Sequence, residues 1–441
     1  MISKDDISKL QYSTDGSPWC RVAAKSSINL DTLQYTPDGS PWHGVEAPAS
    51  GGYTLTASTG VFSLTGQAAI LAAALQIAAG VGTFTLTGND AGLSTLNNYS
   101  ITADPGTFTL TGNAANLNRG IRVTADAGTF TLTGNDAGLN RAVRVTAETG
   151  PYTLTGNDTT LTVSRPIAAD SGTFTLSGQN ATLQKSSTLT ADPGTFTLTG
   201  YAAGFLGADV MAASTGTFTL TGNDAGIQKA SVLTAESGAF ALTGNASGLQ
   251  KTSTLTADPG TFILTGNAAN FSQAGQLLAN TGPFTLTGND AALIRSVRLT
   301  ADTGTFTLTG NDVALATGVR IAADSATYTL SGQAATLQKQ STLTAESGTF
   351  TLTGYAAGFQ GAEIIGVSTG TFTVTGNDAA LQKVSVLTAE SGAFALTGND
   401  NAFSRAVVIV SDSGTFVFTG NDANLLYSEE EIFVPKIVWF Y

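Results

Sequence analysis

The sequence predicts an all-β protein built as an elongated repeat array. Three observations carry that prediction. The motif G-T-F-T-L-T-G returns at a nearly fixed interval along the chain. Inside each return, aromatic and aliphatic residues alternate with threonine. Between returns stand clusters of Gly, Asn, Asp, Ser and Pro, the residues that turn a chain.

The interval is the strongest of the three. An aromatic residue occupies the third motif position seventeen times, from Phe62 to Phe416, and every spacing is 22 residues except the 24 between Phe84 and Phe108. Repetition this strict points to stacked supersecondary units, not to two or three independent globular cores. A higher order lies above it. Residues 108–261 resemble 262–415, an offset of 154 residues or seven units. Asp104-Pro105-Gly106-Thr107-Phe108 returns as Asp258-Pro259-Gly260-Thr261-Phe262, and TGYAAGF at 199–205 returns at 353–359. Copying a seven-unit block changes the length of an array and is a poor way to build one active site.

Within the unit from Thr129 to Gly150, Phe130 and Leu132 alternate with Thr129, Thr131 and Thr133, the period of a half-buried strand. Phe130, with Phe108, Phe174, Phe196, Phe218 and Phe262 at equivalent positions, is expected in the core. Ala137 and Leu139 resume the inward parity after Gly134-Asn135-Asp136, and Val143, Val145 and Ala147 form a further apolar face. The unit closes on an acid, then Pro, Ser, Thr or Ala, then Gly. Asp192-Pro193-Gly194-Thr195 is the clearest copy, and it predicts a type II turn with Gly194 at positive φ. Asp324-Ser325-Ala326 breaks the rule and must strain or change the turn.

The position eleven residues after the aromatic has inward parity if the strand simply continues. Yet it holds Arg119, Arg141, Lys185, Lys229, Lys251, Arg295, Lys339, Lys383 and Arg405, with Gly207 and Gly361 in the Tyr-Ala-Ala-Gly units. Burying unpaired cations this often is prohibitive. The chain is therefore expected to kink there and turn the base to solvent.

Three short strands and three corners per 22 residues suit one coil of a three-sided β-solenoid, which seventeen coils would extend to roughly 80 Å at ordinary strand spacing. A second arrangement fits the same residues. Thr133-Gly134-Asn135-Asp136 can form a type II′ hairpin turn, with Leu132 opposite Ala137 and Phe130 opposite Leu139. Such a stacked hairpin array exposes an apolar face and calls for a partner, as in a trimeric β-fibre.

The chain divides into residues 1–48, the array at 49–425, and a tail at 426–441. The first segment carries a duplicated L-Q-Y-x-x-D-G-S-P-W motif, and its Tyr12, Trp19, Tyr35 and Trp42 are the expected docking residues, since aromatics outside a core need a surface to cover them. The tail is expected to cap the open end or pair with a partner. The apolar run Ala68–Val81 falls in register with the repeat and predicts variant strands; it is too short to span a bilayer. MISKDDISKL has no apolar h-region and so predicts no signal peptide.

Composition narrows the function classes. The formal net charge is −13 with 19 Lys and Arg, which argues against a nucleic-acid groove. Cys20 is the only cysteine and His43 the only histidine. No intramolecular disulfide can form, and His- or Cys-based catalysis and zinc sites lack partners. The acids recur at corners with no singular pair, so no enzyme and no cofactor is expected. The Asn-Asp steps, such as Asn135-Asp136 and Asn289-Asp290, could in principle bind Ca²⁺, but turn chemistry accounts for them.

The GTFTLTGNDAGL-type repeats, with the L-Q-Y-x-x-D-G-x-P-W opening, resemble structural proteins of tailed bacteriophages, in particular fibre-like or appendage components. The resemblance covers residues 50–425 and implies a virion location on tail, neck or capsid. It also implies assembly with other phage proteins, homo-oligomerisation (a trimer among the options) and attachment to a host surface receptor. It implies no membrane insertion and no catalytic residues. A bacterial surface adhesin or an ice-binding solenoid is the alternative, because outward Thr-x-Thr ladders also resemble those of solenoidal ice-binding proteins.

Overall fold

The computed structural model describes residues 75–426 apart from corner segments at 95–98, 119–120, 143, 164–165, 185–187, 295–297, 317–319, 339–341, 362–363, 385, 405–407 and 421. Outside that range it describes strands at Ser27–Asn29, Val45–Glu46, Tyr53–Ala57, Val61–Thr65, Ala68–Ala72 and Ile437–Phe440. Every regular element among these residues is a β-strand. The chain forms two compact units, Met1–Ala208 and Asp209–Tyr441. Each is a parallel β-solenoid with one coil per repeat.

One coil shows the plan. Thr129–Thr133 forms the first side, Asp136–Ala142 the second and Arg144–Ala147 the third. Phe130 pairs with Phe108 in the coil before and Tyr152 in the coil after; Leu139 pairs with Leu117 and Leu161; Val145 pairs with Val123 and Ile167. All these pairings are parallel. The β-solenoid expected from the sequence is thereby present, and the alternative hairpin array, which would set Phe130 against Leu139, is not. In-register parallel stacking lets every coil bury the same residues against themselves, whereas a hairpin sheet leaves one apolar face bare.

The core is the sum of those columns. Phe108, Phe130, Phe174, Phe196, Phe218 and Phe262 are wholly buried, as are the leucines two residues on. Successive rings stack: Phe108 and Phe130 lie 4.9 Å apart at 4°, and Phe130 and Tyr152 lie 4.6 Å apart at 1°. Offset stacking of this kind adds about 0.5–1.5 kcal/mol per pair beyond the area buried. Ala68–Ala72 and Leu75–Ala79 are strands in the same ladders, as the register of that apolar run predicts. The 24-residue interval is absorbed at a corner. Leu71 pairs with Leu93 at 22 residues, whereas Ile77 pairs with Ile101 at 24, so the two extra residues fall between Ser94 and Tyr99.

The kink after the second side is present where it is described. The ladder steps from Gln228↔Gln250 to Ala230↔Thr252 and leaves out Lys229 and Lys251. Those lysines have φ of 57° and 54°, and Lys383 has 58°; all three are exposed. Gly207 and Gly361 take the same left-handed conformation at φ 83° and 77°. One residue at positive φ resets the parity, so the next residue points inward: Ala208, Ala230, Thr252 and Val384 are buried. The cost of leaving the right-handed region is small beside that of burying a cation. Arg119, Lys185, Arg295, Lys339 and Arg405 lie outside the described residues, and Arg141 is described in backbone only.

The closing corner corrects the type II prediction. Gly194 and Gly260 do not take positive φ; the Asp192-Pro193 and Asp258-Pro259 peptide bonds are cis. Glycine stands there for closeness. A Cβ at Gly304 would sit 2.5 Å from the carbonyl oxygens of both Ala279 and Gly282. The variable middle position also has a structural role. The Thr149 hydroxyl donates to the Asp126 carbonyl at 2.7 Å and the Ser171 hydroxyl to the Glu148 carbonyl at 2.8 Å, tying each coil to the one before.

At Ala326 the chain carries a methyl at the corner glycine position. The rings of Phe306 and Tyr328 are 5.3 Å apart at 31°, and those of Tyr328 and Phe350 are 6.0 Å apart at 19°. Tyrosine itself is not the cause, because Tyr152, in a coil that keeps its glycine, stacks on Phe174 at 4.8 Å and 6°. A spread ring pair is not confined to this coil, since Phe394 and Phe416 lie 5.9 Å apart at 44° in coils that keep Gly392 and Gly414.

Candidate functional site

Repetition turns each outward position into a column along the solenoid. Beside the first side run threonine columns, half-buried at Thr131, Thr153 and Thr175. In the second unit they are interrupted by Ala239, Ala241, Ile263 and Pro283. At the closing corner run the acids Asp104, Asp126, Glu148, Asp170 and Asp192. The carboxyl of Glu148 titrates above the usual range, chiefly through a hydrogen bond with Asp126, then through desolvation and the charges of Asp126 and Asp170, with Arg122 opposing. Among the described residues no group of three or more His, Cys, Asp or Glu could hold a metal ion.

The corner after the first side carries a shallow, open groove. The groove, of about 790 Å³, runs along Thr243-Gly244-Asn245 and its copies down to Thr309-Gly310-Asn311. Its floor is the glycine column, bare because a Cβ on any of these glycines would collide with the glycine carbonyl of the preceding coil. The floor amides are already engaged: Gly266 donates to the Thr287 carbonyl and Gly288 to the Thr309 carbonyl, each at 2.9 Å.

The asparagines form a ladder. The amide of Asn289 donates to Asn267 at 3.4 Å and that of Asn311 to Asn289 at 3.5 Å; Asn267 donates to Asn245. The first unit repeats the pattern, Asn135 to Asn113 at 3.4 Å and Asn157 to Asn135 at 3.5 Å. Each amide has two N–H donors and two acceptor lone pairs, and at Asn135, Asn267 and Asn289 one of each goes to the ladder.

The same column holds a tyrosine in each unit. In the first it reads Asn113, Asn135, Asn157, Gln179, Tyr201; in the second Asn223, Asn245, Asn267, Asn289, Asn311, Gln333, Tyr355. Tyr201 is 65% exposed and Tyr355 63%, the most exposed aromatics among the described residues. Sequence reading took TGYAAGF only as a mark of duplication. The signal was the column position, where a large ring replaces a short amide.

Of the expected docking residues, Tyr12, Trp19, Tyr35 and Trp42 lie outside the described residues. Nearby, Ser27–Asn29 pairs in parallel with Thr54–Thr56, and Val45–Glu46 with Leu71–Ala72. At the other end, Ile437–Phe440 pairs in parallel with Phe416–Thr419. No helix among the described residues is long and apolar enough to cross a membrane. No protein-family model, curated protein or solved structure matches the chain.

Proposed function

We propose that the chain is a structural component of a tailed-phage virion, a fibre or appendage anchored through residues 1–45 and presenting a β-solenoid array, with a role in host attachment. The observation that carries this reading is the architecture: similar coils stacked in register, with a seven-unit block repeated in the sequence and functional groups spread in columns. A scaffold of this kind presents surface and spans distance. In this reading the chain is not an enzyme, and it works beside other virion proteins and further copies of itself. Removing residues 1–45 should abolish incorporation into particles while the repeats stay folded. Incorporation of the truncated chain would refute the anchoring role.

A second reading rests on the threonine columns, which suit an ice-binding or adhesive face. Their interruption at Ala239, Ala241, Ile263 and Pro283 weighs against a regular ice-matching lattice. A thermal-hysteresis assay decides that branch, and immunogold labelling of virions against cell envelopes separates phage component from adhesin.

A further inference from the structure

We infer that the Thr-Gly-Asn groove and its tyrosine form a binding site for an uncharged polysaccharide chain, lying along the column with a sugar ring stacked on Tyr355. The first unit repeats the same elements with Tyr201.

Three properties of the column select that ligand. The first is polarity without charge. The groove is lined by hydroxyls, amides and bare backbone, and no Lys, Arg, Asp or Glu contributes to its wall. Asn267 and Asn289 each engage one N–H and one lone pair in the ladder and keep a donor and an acceptor for a ligand hydroxyl, which itself needs both. The array repeats at the coil spacing of about 4.8 Å, so the stretch from Asn223 to Asn311 presents about 19 Å of paired donors and acceptors.

The second is the exposed ring. A tyrosine standing about two-thirds free of the fold contributes little to the core, and in this column it replaces an amide that the ladder would use. An aromatic face beside hydrogen-bonding groups suits a ligand with one apolar and one polar aspect, and a pyranose has both. Tyr355 stands two coils beyond Asn311, about 10 Å along the column, within reach of one extended oligosaccharide.

The third is the flanking charge. Exposed Asp224, Asp290 and Asp312 follow three of the five groove asparagines, and Ala246 and Ala268 follow the two in the middle. These carboxylates flank the groove at both ends and disfavour an anionic polymer there, which together with the uncharged lining points to a neutral glycan as the ligand.

The test is affinity electrophoresis of the full chain in native gels cast with dextran, a soluble β-glucan, a mannan, or alginate as the anionic comparison. Retardation in at least one neutral gel and none in alginate is expected. The double variant Tyr201→Ala, Tyr355→Ala should weaken retardation roughly tenfold in apparent dissociation constant. The pair Tyr201→Phe, Tyr355→Phe, which keeps the rings, should retain most of it. Asn267→Ala with Asn289→Ala should weaken it while the tyrosines are intact. Absence of retardation across the neutral panel, equal retardation of the alanine variant, or stronger retardation in alginate would overturn the inference. The result is separable from the virion reading, because incorporation depends on residues 1–45 and retardation on this column, so either can fail alone.

Discussion

Replacing Gly304 by alanine tests the packing of the closing corner. The new Cβ would lie 2.5 Å from the carbonyl oxygens of Ala279 and Gly282, far inside contact distance, and neither oxygen belongs to a side chain that can swing away. Where the chain does carry a methyl at this position, at Ala326, the neighbouring rings lie 5.3 and 6.0 Å apart. The rings of Phe284 and Phe306 now stack at 4.8 Å and 5°, so part of about 0.5–1.5 kcal/mol is at risk in each ring contact of Phe306. Adding the backbone adjustment, we expect a loss of about 1–3 kcal/mol, the usual range for overpacking. Gly226→Ala is the matched comparison in the same unit. Its Cβ would meet nothing nearer than the Gly248 carbonyl at 3.9 Å and its φ is not positive, so stability should hold or rise by about 0.4–1 kcal/mol. Urea unfolding followed by far-UV circular dichroism reads both as shifts in midpoint. If Gly304→Ala is as harmless as Gly226→Ala, close approach does not explain the corner glycines.

Further outcomes follow from the same columns. The hydroxyls of Tyr152 and Tyr328 are buried without a hydrogen-bond partner, so Tyr152→Phe should leave stability unchanged or raise it by about 1–3 kcal/mol in thermal or urea unfolding. Burial pushes both phenols well above the usual tyrosine range, so in an alkaline absorbance titration Tyr152 and Tyr328 should ionise only as the fold is lost. Lys383→Gly should stabilise by about 1 kcal/mol by relieving the left-handed backbone, and Lys383→Val should destabilise; Gly207 and Gly361 already use that solution. Glu148 is protonated more readily folded than unfolded, so its contribution is present below the ordinary carboxylate range and is lost as pH rises through its raised folded value. Glu148→Gln should therefore stabilise slightly at neutral pH and flatten that part of the pH profile, measured by urea midpoints across the acid range.

Strand content, coil length and the identity of the buried residues were legible in the sequence because one physical rule, period-two burial, is applied seventeen times. Charge placement alone located the kink at Lys229, Lys251 and Lys383, since a buried cation was the only other outcome. Two features were not legible. The choice between solenoid and hairpin turns on whether Phe130 pairs with its copies in the neighbouring coils or with Leu139 in its own, and both registers satisfy the same hydrophobic pattern. The corner glycine was misread because a turn's φ is a local property, whereas the reason for glycine at 304 lies one coil away, in the carbonyl oxygens of Ala279 and Gly282. The groove was missed for a related reason. Asn245, Asn267 and Asn289 are ordinary turn residues when read singly, and become a surface only once they are stacked.

In-register parallel stacking is most directly measured with paired spin labels. With Cys20 replaced by serine, nitroxides would be attached at Thr131→Cys and Thr153→Cys, two outward positions that pair across adjacent coils. At a backbone separation of about 4.8 Å the continuous-wave spectrum should show strong dipolar or exchange broadening that disappears in either single-labelled chain. A doubly labelled spectrum equal to the sum of the two singles would contradict the solenoid.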